Sequence, residues 1–285
     1  MYLLYQKVSK SQENQGVARP LGTLLKVLSI RHKTLRGIIV MPYLKEICVA
    51  GNTIEISKYY TPRHHTKGEK RSPKEKKSSE AQQRVNQRKA VKELRRLMNT
   101  NFKDGDLLVR LDFYKYPVND SKEMQQCIVK AIRKLRTLFK KNNRPMKYIY
   151  VKELGPRGSR HIHMVISKCS LDDLQEAWSC GGIHVDPLYS DGQYAKIAEY
   201  FIKYAAKTEK TEGELIGKRW YASRNLVKPK VTKKVISAKH FKREARERKG
   251  YYIDKDSIRS GISELTGYEY FSYTLIKTDK NGGGG

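Results

Sequence analysis

The sequence predicts an α+β fold, in which an antiparallel β-sheet carries helices packed on one face and basic segments flank this unit. Strands are indicated by alternating apolar residues, and helices by longer stretches with apolar residues three and four positions apart. Turn-forming Gly, Asn and Pro residues separate these stretches. Over residues 107–226 the order is β-α-β-β-α-β-α-β, which is typical of an antiparallel sheet with helices against it.

The first strand and helix of this unit have clear local signals. Apolar side chains alternate over residues 107–114, which predicts a strand. Asp120 is a good helix N-cap and has the capping-box spacing to Glu123, and residues 142–145 (Asn-Asn-Arg-Pro) predict the end of that helix. Its apolar residues recur at helical spacing: Met124, Ile128, Ala131, Ile132, Leu135, Leu138 and Phe139.

A hairpin follows, with strands at residues 148–154 and 160–167 and a turn at residues 155–159. The remaining predicted elements are a short helix over 171–179 that Gly181 and Gly182 interrupt, a strand at 183–185, a helix over 193–207 and a return to the sheet at 220–226. Strand-like patches at residues 38–40 and 47–49 have no predicted place in the fold.

The composition favours a soluble globular protein in a reducing cytoplasm. The chain has 285 residues, of which 38% are hydrophobic, and no apolar run approaches the roughly 20 residues of a transmembrane helix. Residues 1–8 turn polar before a signal-peptide core is complete. Four widely spaced cysteines without a Cys-x-x-Cys pair argue against a disulfide scaffold or a zinc ribbon.

The charge predicts a polyanionic partner. Lys and Arg number 59 against 29 Asp and Glu, which gives a formal net charge of +30. The excess is clustered, because residues 61–100 hold thirteen basic and four acidic residues and residues 218–249 hold thirteen and two. Nucleic acid is the commonest polyanion, so these clusters predict DNA-contacting surface, with a solvated charged face as the alternative.

His161 and His163 are the first candidate site residues. In a strand, residues i and i+2 share a face, so both imidazoles point the same way and Ile162 faces the core. A hairpin centred on Arg157 places Glu153 directly across from His161 on that face. Two imidazoles and a carboxylate can bind a divalent ion such as Mn²⁺ or Mg²⁺ and leave positions open for substrate, whereas a Glu–His pair without metal is the alternative.

The helix over 193–207 has two different faces. Its core stripe comprises Tyr194, Ile197, Ala198, Phe201, Ile202 and Ala205. A second arc carries Tyr200 and Tyr204, one turn apart, among Lys196, Lys203 and Lys207. Lysines would neutralise phosphate charge, and their proximity predicts that a phenolate forms more readily than the ordinary tyrosine pKa of about 10 suggests.

Taken together, these motifs resemble those of the HUH endonucleases, specifically the rolling-circle replication initiators of phages and plasmids. The resemblance covers roughly residues 60–230 and rests on the order and spacing of its motifs. These are the first strand at 107–113, Glu153, His161-Ile162-His163, the tyrosine motif at 200–207, the strand at 219–226 and a lead-in at 86–106.

The resemblance implies a Rep-type, RRM-like catalytic domain at residues 101–230, a basic accessory region at 1–100, and a basic segment with a flexible tail at 231–285. It implies that one DNA strand is cut at an origin, giving a free 3′-OH and a 5′-phosphotyrosine. Tyr204 matches the usual nucleophile and Tyr200 the second tyrosine, with Lys203 between them, while Glu153, His161 and His163 match the metal ligands. DNA contacts are expected from Lys196, Lys207, Arg219 and Arg224.

Implied partners are single-stranded origin DNA, a host helicase and a DNA polymerase, in the cytoplasm of a bacterial host cell. No P-loop occurs in the sequence, so a fused helicase is not expected. Two alternatives remain: a DNA-binding protein without chemistry, and the same chemistry in a conjugative relaxase or a transposase. Relaxases of this type carry a third histidine and an N-terminal tyrosine, whereas the small transposases lack long basic flanks.

Overall fold

The structure is a computed structural model that describes residues 43–61, 79–116, 118, 120–155, 158–189, 193–212, 218–236 and 240–278, with only the backbone at 207–212. All of these residues belong to one compact unit, Met41–Gly285. The predicted strand patch at 38–40 and the expected tail at 281–285 lie outside the described residues.

The helices of the described part have identifiable starts. They are α1 (Glu80–Asn101), α2 (Ser121–Lys141), α3 (Leu171–Ala177) and α4 (Ala195–Glu212). The Asp120 carboxylate accepts from the backbone N–H groups of Lys122 and Glu123, which confirms the predicted N-cap of α2. None of these helices combines the length and apolar character that crossing a bilayer requires.

The strands form two antiparallel five-stranded sheets. They are β1 (Tyr43–Ala50), β2 (Thr53–Tyr60), β3 (Leu107–Asp112), β4 (Tyr148–Leu154), β5 (Arg160–Ile166), β6 (Ile183–Pro187), β7 (Tyr221–Ala222), β8 (Lys230–Ile236), β9 (Tyr251–Ile262) and β10 (Glu269–Lys277). The first sheet has the order β6-β3-β5-β4-β7 and the second β8-β1-β2-β10-β9. The α+β class and the strands of the first sheet confirm the prediction.

Helices cover both faces of the first sheet, so the expectation of one covered face was wrong. On one face, Ile162 and Met164 of β5 pack into a core with residues of α2. On the other, Val151 and Val165 pack with Leu94 of α1 and with α4. The sequence contains a sign of this arrangement, because residues 148–151 (Tyr-Ile-Tyr-Val) are apolar without alternation, as in strands buried on both sides.

The second sheet joins chain segments that are far apart in sequence. Strands β1 and β2 come from residues 43–60, whereas β8, β9 and β10 come from residues 230–277. Residues 43–60 and 231–277, which the sequence assigned to separate flanking regions, therefore share one sheet. Its core includes Ile54, Ile56, Phe271, Tyr273 and Leu275.

A buried charge network fastens α1 to the second sheet. The Arg96 guanidinium donates to Glu55 Oε2 at 2.6 Å and to Glu46 Oε1 at 2.8 Å, and all three residues are buried. Lys92 and Arg95 add ion pairs to Glu46 and Glu55 at 3.0 and 2.8 Å. These three cations of the first basic cluster neutralise internal carboxylates, so the DNA-contacting surface expected for that cluster does not include them.

The end of α1 connects the second sheet to the start of α4. Gly51, between β1 and β2, has φ +56°, and a Cβ there would lie 1.9 Å from the Asn99 carbonyl oxygen, so only glycine fits. The Asn99 side chain donates to Thr53 Oγ1 at 3.2 Å and accepts from the Tyr194 N–H at 2.9 Å. Asn99 therefore holds the residue that precedes α4, the helix that carries the two candidate tyrosines.

We expect Arg96→Met to lower the free energy of unfolding at neutral pH by about 3–5 kcal/mol, because buried carboxylates lose their partner. Arg88→Met, on an exposed position of the same helix, is the matched control and should change stability by less than about 0.5 kcal/mol. Denaturant unfolding of both variants measures the difference.

Acid should narrow this difference. Burial alone would raise the pKa of Glu46, but the charges of Lys92 and Arg96 outweigh it and lower the pKa from about 4.5 to about 2. Stability from ionised Glu46 is therefore complete above pH 4.5 and is lost as the pH falls towards 2. A gap between wild type and Arg96→Met that stays constant across this range would contradict the role of the network.

Candidate functional site

The predicted hairpin register is confirmed. Glu153 of β4 pairs with His161 of β5, as the turn-centred alignment required. Ile162 is fully buried against α2, which places His161 and His163 on the opposite face. That face is covered by α1 and α4, so both histidines lie on the side of the helix that carries Tyr200 and Tyr204.

The side chains form two carboxylate–histidine pairs. His163 Nε2 lies 2.6 Å from Glu153 Oε2, and both residues are buried. His161 Nδ1 lies 2.7 Å from Asp112 Oδ1, and its Nε2 lies 3.0 Å from Ser159 Oγ. The donors are imidazole nitrogens and carboxylate oxygens, which suit a divalent ion. In the conformation shown, no three His, Cys, Asp or Glu side chains of the described residues converge as a metal site.

Asp112 is a site residue that the sequence analysis missed. It ends β3 and pairs across the sheet with His161, and its Oδ2 also lies 3.0 Å from His184 Nε2. Burial alone would raise its pKa, but the hydrogen bond with His161 and the charge of Arg110 lower the pKa below its usual value. Asp112 is thus held as a carboxylate that orients His161. Its signal in the sequence is alternation, because Arg110 and Asp112 are the polar positions of an otherwise apolar strand.

Gly181 and Gly182 allow the chain after α3 to approach this carboxylate. A Cβ on Gly181 would lie 2.1 Å from the Asp112 carbonyl oxygen, and a Cβ on Gly182 would lie 3.3 Å from Asp112 Oδ2. The Asp112 N–H donates to the Gly182 carbonyl at 2.9 Å. The glycines predicted only to interrupt a helix therefore also position Asp112 and, through β6, His184.

Tyr200 and Tyr204 pack directly against His163. The Tyr204 ring stacks on the imidazole at a centroid distance of 5.2 Å and an angle of 25°, and the Tyr200 ring meets it edge-on at 5.2 Å. The two phenol rings are 4.2 Å apart. The predicted core stripe of α4 is buried behind them, with Phe201 and Ile202 almost fully enclosed. The structure thus brings the two predicted motifs into contact.

The expectation of an easily formed phenolate was wrong for Tyr200. Its pKa is raised above the ordinary value, first by partial burial, then by its hydrogen bond and charge interaction with Tyr204, and by the charge of Glu153. The charge of Arg110 opposes this only in part. The physical reason is that the ring packs towards a carboxylate-rich sheet. Tyr200 is therefore neutral at physiological pH and needs a proton acceptor in order to act as a nucleophile.

The predicted DNA-contacting residues are dispersed around this centre. Lys196 and Lys203 are exposed on α4, and the side chain of Lys207 lies outside the described part of the structure. Arg219 donates to the Asn86 carbonyl of α1 at 3.3 Å, and Arg224 is exposed beyond β7. A groove of about 710 Å³ runs beside the tyrosines, and its lining includes Arg110, His163, His184, Lys196 and Tyr200.

This sheet, with histidines and tyrosines gathered on one polar face, is the part of the chain that comparison with known families matches. The family model of the replication-associated protein ORF2 matches residues 112–209, about a third of the chain. The match begins at Asp112 and extends beyond Tyr204, so it contains the whole site, and it supports a role in replication. No curated protein and no solved structure matches the chain significantly.

Proposed function

We propose that the protein is a replication initiator of the HUH type, a metal-dependent endonuclease and strand transferase that starts rolling-circle replication. The observation that carries the proposal is the contact of Tyr200 and Tyr204 with His163, which is itself hydrogen-bonded to Glu153. A nucleophile pair beside metal-type donors has the composition that phosphoryl transfer requires. The family match, with its replication role, supports the same conclusion.

In the first transfer, the Tyr204 hydroxyl attacks the scissile phosphorus. A P–O bond forms to the tyrosine while the bond to the 3′ oxygen breaks, so the products are a 5′-phosphotyrosine and a 3′-OH. The phenolic proton leaves Tyr204 and the departing 3′ oxygen gains one. The phosphodiester energy is kept in the covalent link, so rejoining requires no nucleotide cofactor.

A divalent ion, Mg²⁺ or Mn²⁺, held by Glu153, His161 and His163, would polarise the scissile phosphate. Asp112 keeps the imidazole of His161 oriented through Nδ1, which leaves Nε2 free to turn from Ser159 towards a ligand. Glu153 orients His163 in the same manner. Lys203, exposed between the tyrosines in sequence, would neutralise charge on the phosphate.

DNA contacts beyond the reacting phosphate are assigned to Lys196, Lys207, Arg219 and Arg224. Arg224 lines a second groove, of about 780 Å³, together with Arg136, Lys140 and Arg144 and with no acidic residue. Single-stranded origin DNA is the proposed substrate. A host helicase would unwind the duplex and a polymerase would extend the 3′-OH.

The test is incubation of the purified chain with single-stranded origin candidates and Mn²⁺ or Mg²⁺. A covalent protein–DNA adduct on a denaturing gel, dependent on the metal, is expected. DNA retention without an adduct under every metal condition would instead favour a DNA-binding protein that has no chemistry.

Asp112→Ala should weaken the metal dependence of this reaction about 10- to 100-fold, because residues that orient a ligand histidine typically contribute that much. Asp112→Asn, which keeps a hydrogen-bond acceptor, should lie between this variant and wild type. The measurement is adduct yield against Mn²⁺ concentration. Asp172→Asn, on exposed α3, is the control. A curve for Asp112→Ala that superimposes on that control would show that Asp112 does not act through His161.

A further inference from the structure

The short segment after β3 is rigidly attached to the rim of the site. The backbone N–H groups of Lys115 and Tyr116 both donate to the Cys180 carbonyl, at 3.0 and 2.9 Å. The Trp178 indole N–H donates to the Asp112 carbonyl at 3.1 Å. The Phe113 ring packs edge-on against Trp178 in the core. The backbone between Asp112 and Tyr116 is therefore fixed to the chain that follows α3.

This rigid segment presents two tyrosine rings to solvent. Tyr114 is 69% exposed and Tyr116 is 56% exposed. Both are among the most exposed large hydrophobic side chains in the described part of the chain. Neither ring contributes to a core, so folding does not account for their exposure on a fixed backbone.

The Tyr114 ring lies next to the Asp112–His184 pair. A Cβ placed on Gly182 would be 3.1 Å from Tyr114 Cε1, 3.3 Å from Asp112 Oδ2 and 3.9 Å from His184 Nε2. The three groups therefore surround the same point, and the absence of a side chain at position 182 makes room for the ring. Asp112 in turn contacts His161, which places the exposed ring at the edge of the proposed reaction centre.

We infer that Tyr114 is a stacking platform for a nucleobase of the single strand that enters the site. The inference rests on the proposed function, since it assigns a subsite for the same substrate. Unpaired bases offer open aromatic faces, whereas duplex DNA keeps them stacked inside, so a solvent-facing phenol ring on a rigid support distinguishes the two. Exposed Lys115 and half-exposed Arg110 flank the ring and would meet the phosphates on either side.

The chain contains a matched control residue, Tyr189, which is 72% exposed. It follows β6, whose Pro187 pairs with Leu107, whereas Tyr114 follows the other end of β3, where Leu111 pairs with Ile183. The two tyrosines thus lie beyond opposite ends of one strand pair. Only Tyr114 is next to the site.

The experiment measures binding in a Tyr200→Phe/Tyr204→Phe background with EDTA, so that cleavage does not contribute. Fluorescein-labelled oligo(dT) and a labelled hairpin duplex are the probes. Tyr114→Ala should weaken oligo(dT) binding roughly tenfold, within the range of about 5- to 100-fold typical of one lost base stack, and leave duplex binding unchanged. Tyr189→Ala should change neither. Tyr114→Trp should retain binding, whereas Tyr114→Leu should not.

Equal affinities of Tyr114→Ala and Tyr189→Ala for oligo(dT) would overturn the inference, as would full binding by Tyr114→Leu. A parallel loss of duplex binding would also overturn it, because the ring would then act on structure or on charge. The proposed function is judged separately, by adduct formation in the chain with both tyrosines intact. Failure of stacking and failure of catalysis are therefore distinguishable.

Discussion

Tyr204→Phe is expected to abolish the covalent protein–DNA adduct while leaving the fold, metal binding and DNA binding unchanged. Only a hydroxyl is removed, and the phenyl ring can keep its 5.2 Å stacking contact with His163. Loss of the nucleophilic oxygen removes the step itself, so residual adduct should be undetectable. Denaturing gels measure the adduct, and unfolding curves and binding titrations test the unchanged properties.

Tyr200→Phe is the matched variant one helical turn away. The first cut should persist, but the second transfer should be impaired, because a fresh hydroxyl must attack while Tyr204 carries the DNA. The raised pKa of Tyr200 predicts that this second transfer accelerates as the pH rises from neutral towards 10, since more of the phenolate forms. Peptide mapping decides the roles. An adduct on Tyr200 alone would reverse them, and an adduct on neither would refute the two-tyrosine mechanism.

The parts of the site that could be predicted are those set by local sequence. Alternation identified β4 and β5, and the short turn between them determined that Glu153 faces His161. Helical periodicity separated the buried stripe of α4 from the arc with Tyr200 and Tyr204. The same two patterns imply contact between them only once the helix is known to cover the correct face of the sheet, which local periodicity does not determine.

The parts that could not be predicted depend on pairing between distant segments. Asp112 reaches His161 only because β3 lies beside β5, and the sequence between them includes all of α2 and β4. The second sheet pairs Tyr43 with Ile236, almost two hundred residues apart. Arg96 resembles a solvated helix residue until Glu46 and Glu55 of that sheet are placed beside it. In the sequence, its charge was therefore counted as DNA-binding surface.

Removing either site histidine provides the second large effect. His161→Ala and His163→Ala are both expected to abolish metal-dependent cleavage while largely sparing DNA affinity, because phosphate contacts dominate affinity and these imidazoles supply few of them. The measurements are adduct yield with saturating Mn²⁺ and single-strand binding in EDTA. His240→Ala, an exposed histidine between β8 and β9, is the control and should behave as wild type.

The two variants should differ in stability, which separates a chemical role from a structural one. The His163 side chain is buried, shares a 2.6 Å hydrogen bond with Glu153 and packs on both tyrosines, so His163→Ala should also lower the free energy of unfolding by about 1–3 kcal/mol. The His161 side chain is about a quarter exposed, so His161→Ala should unfold close to wild type and yet be inactive. Nicking by His161→Ala at the wild-type rate would show that the ion is bound elsewhere. Loss of DNA affinity in that variant would instead place His161 in the binding surface rather than in the chemistry.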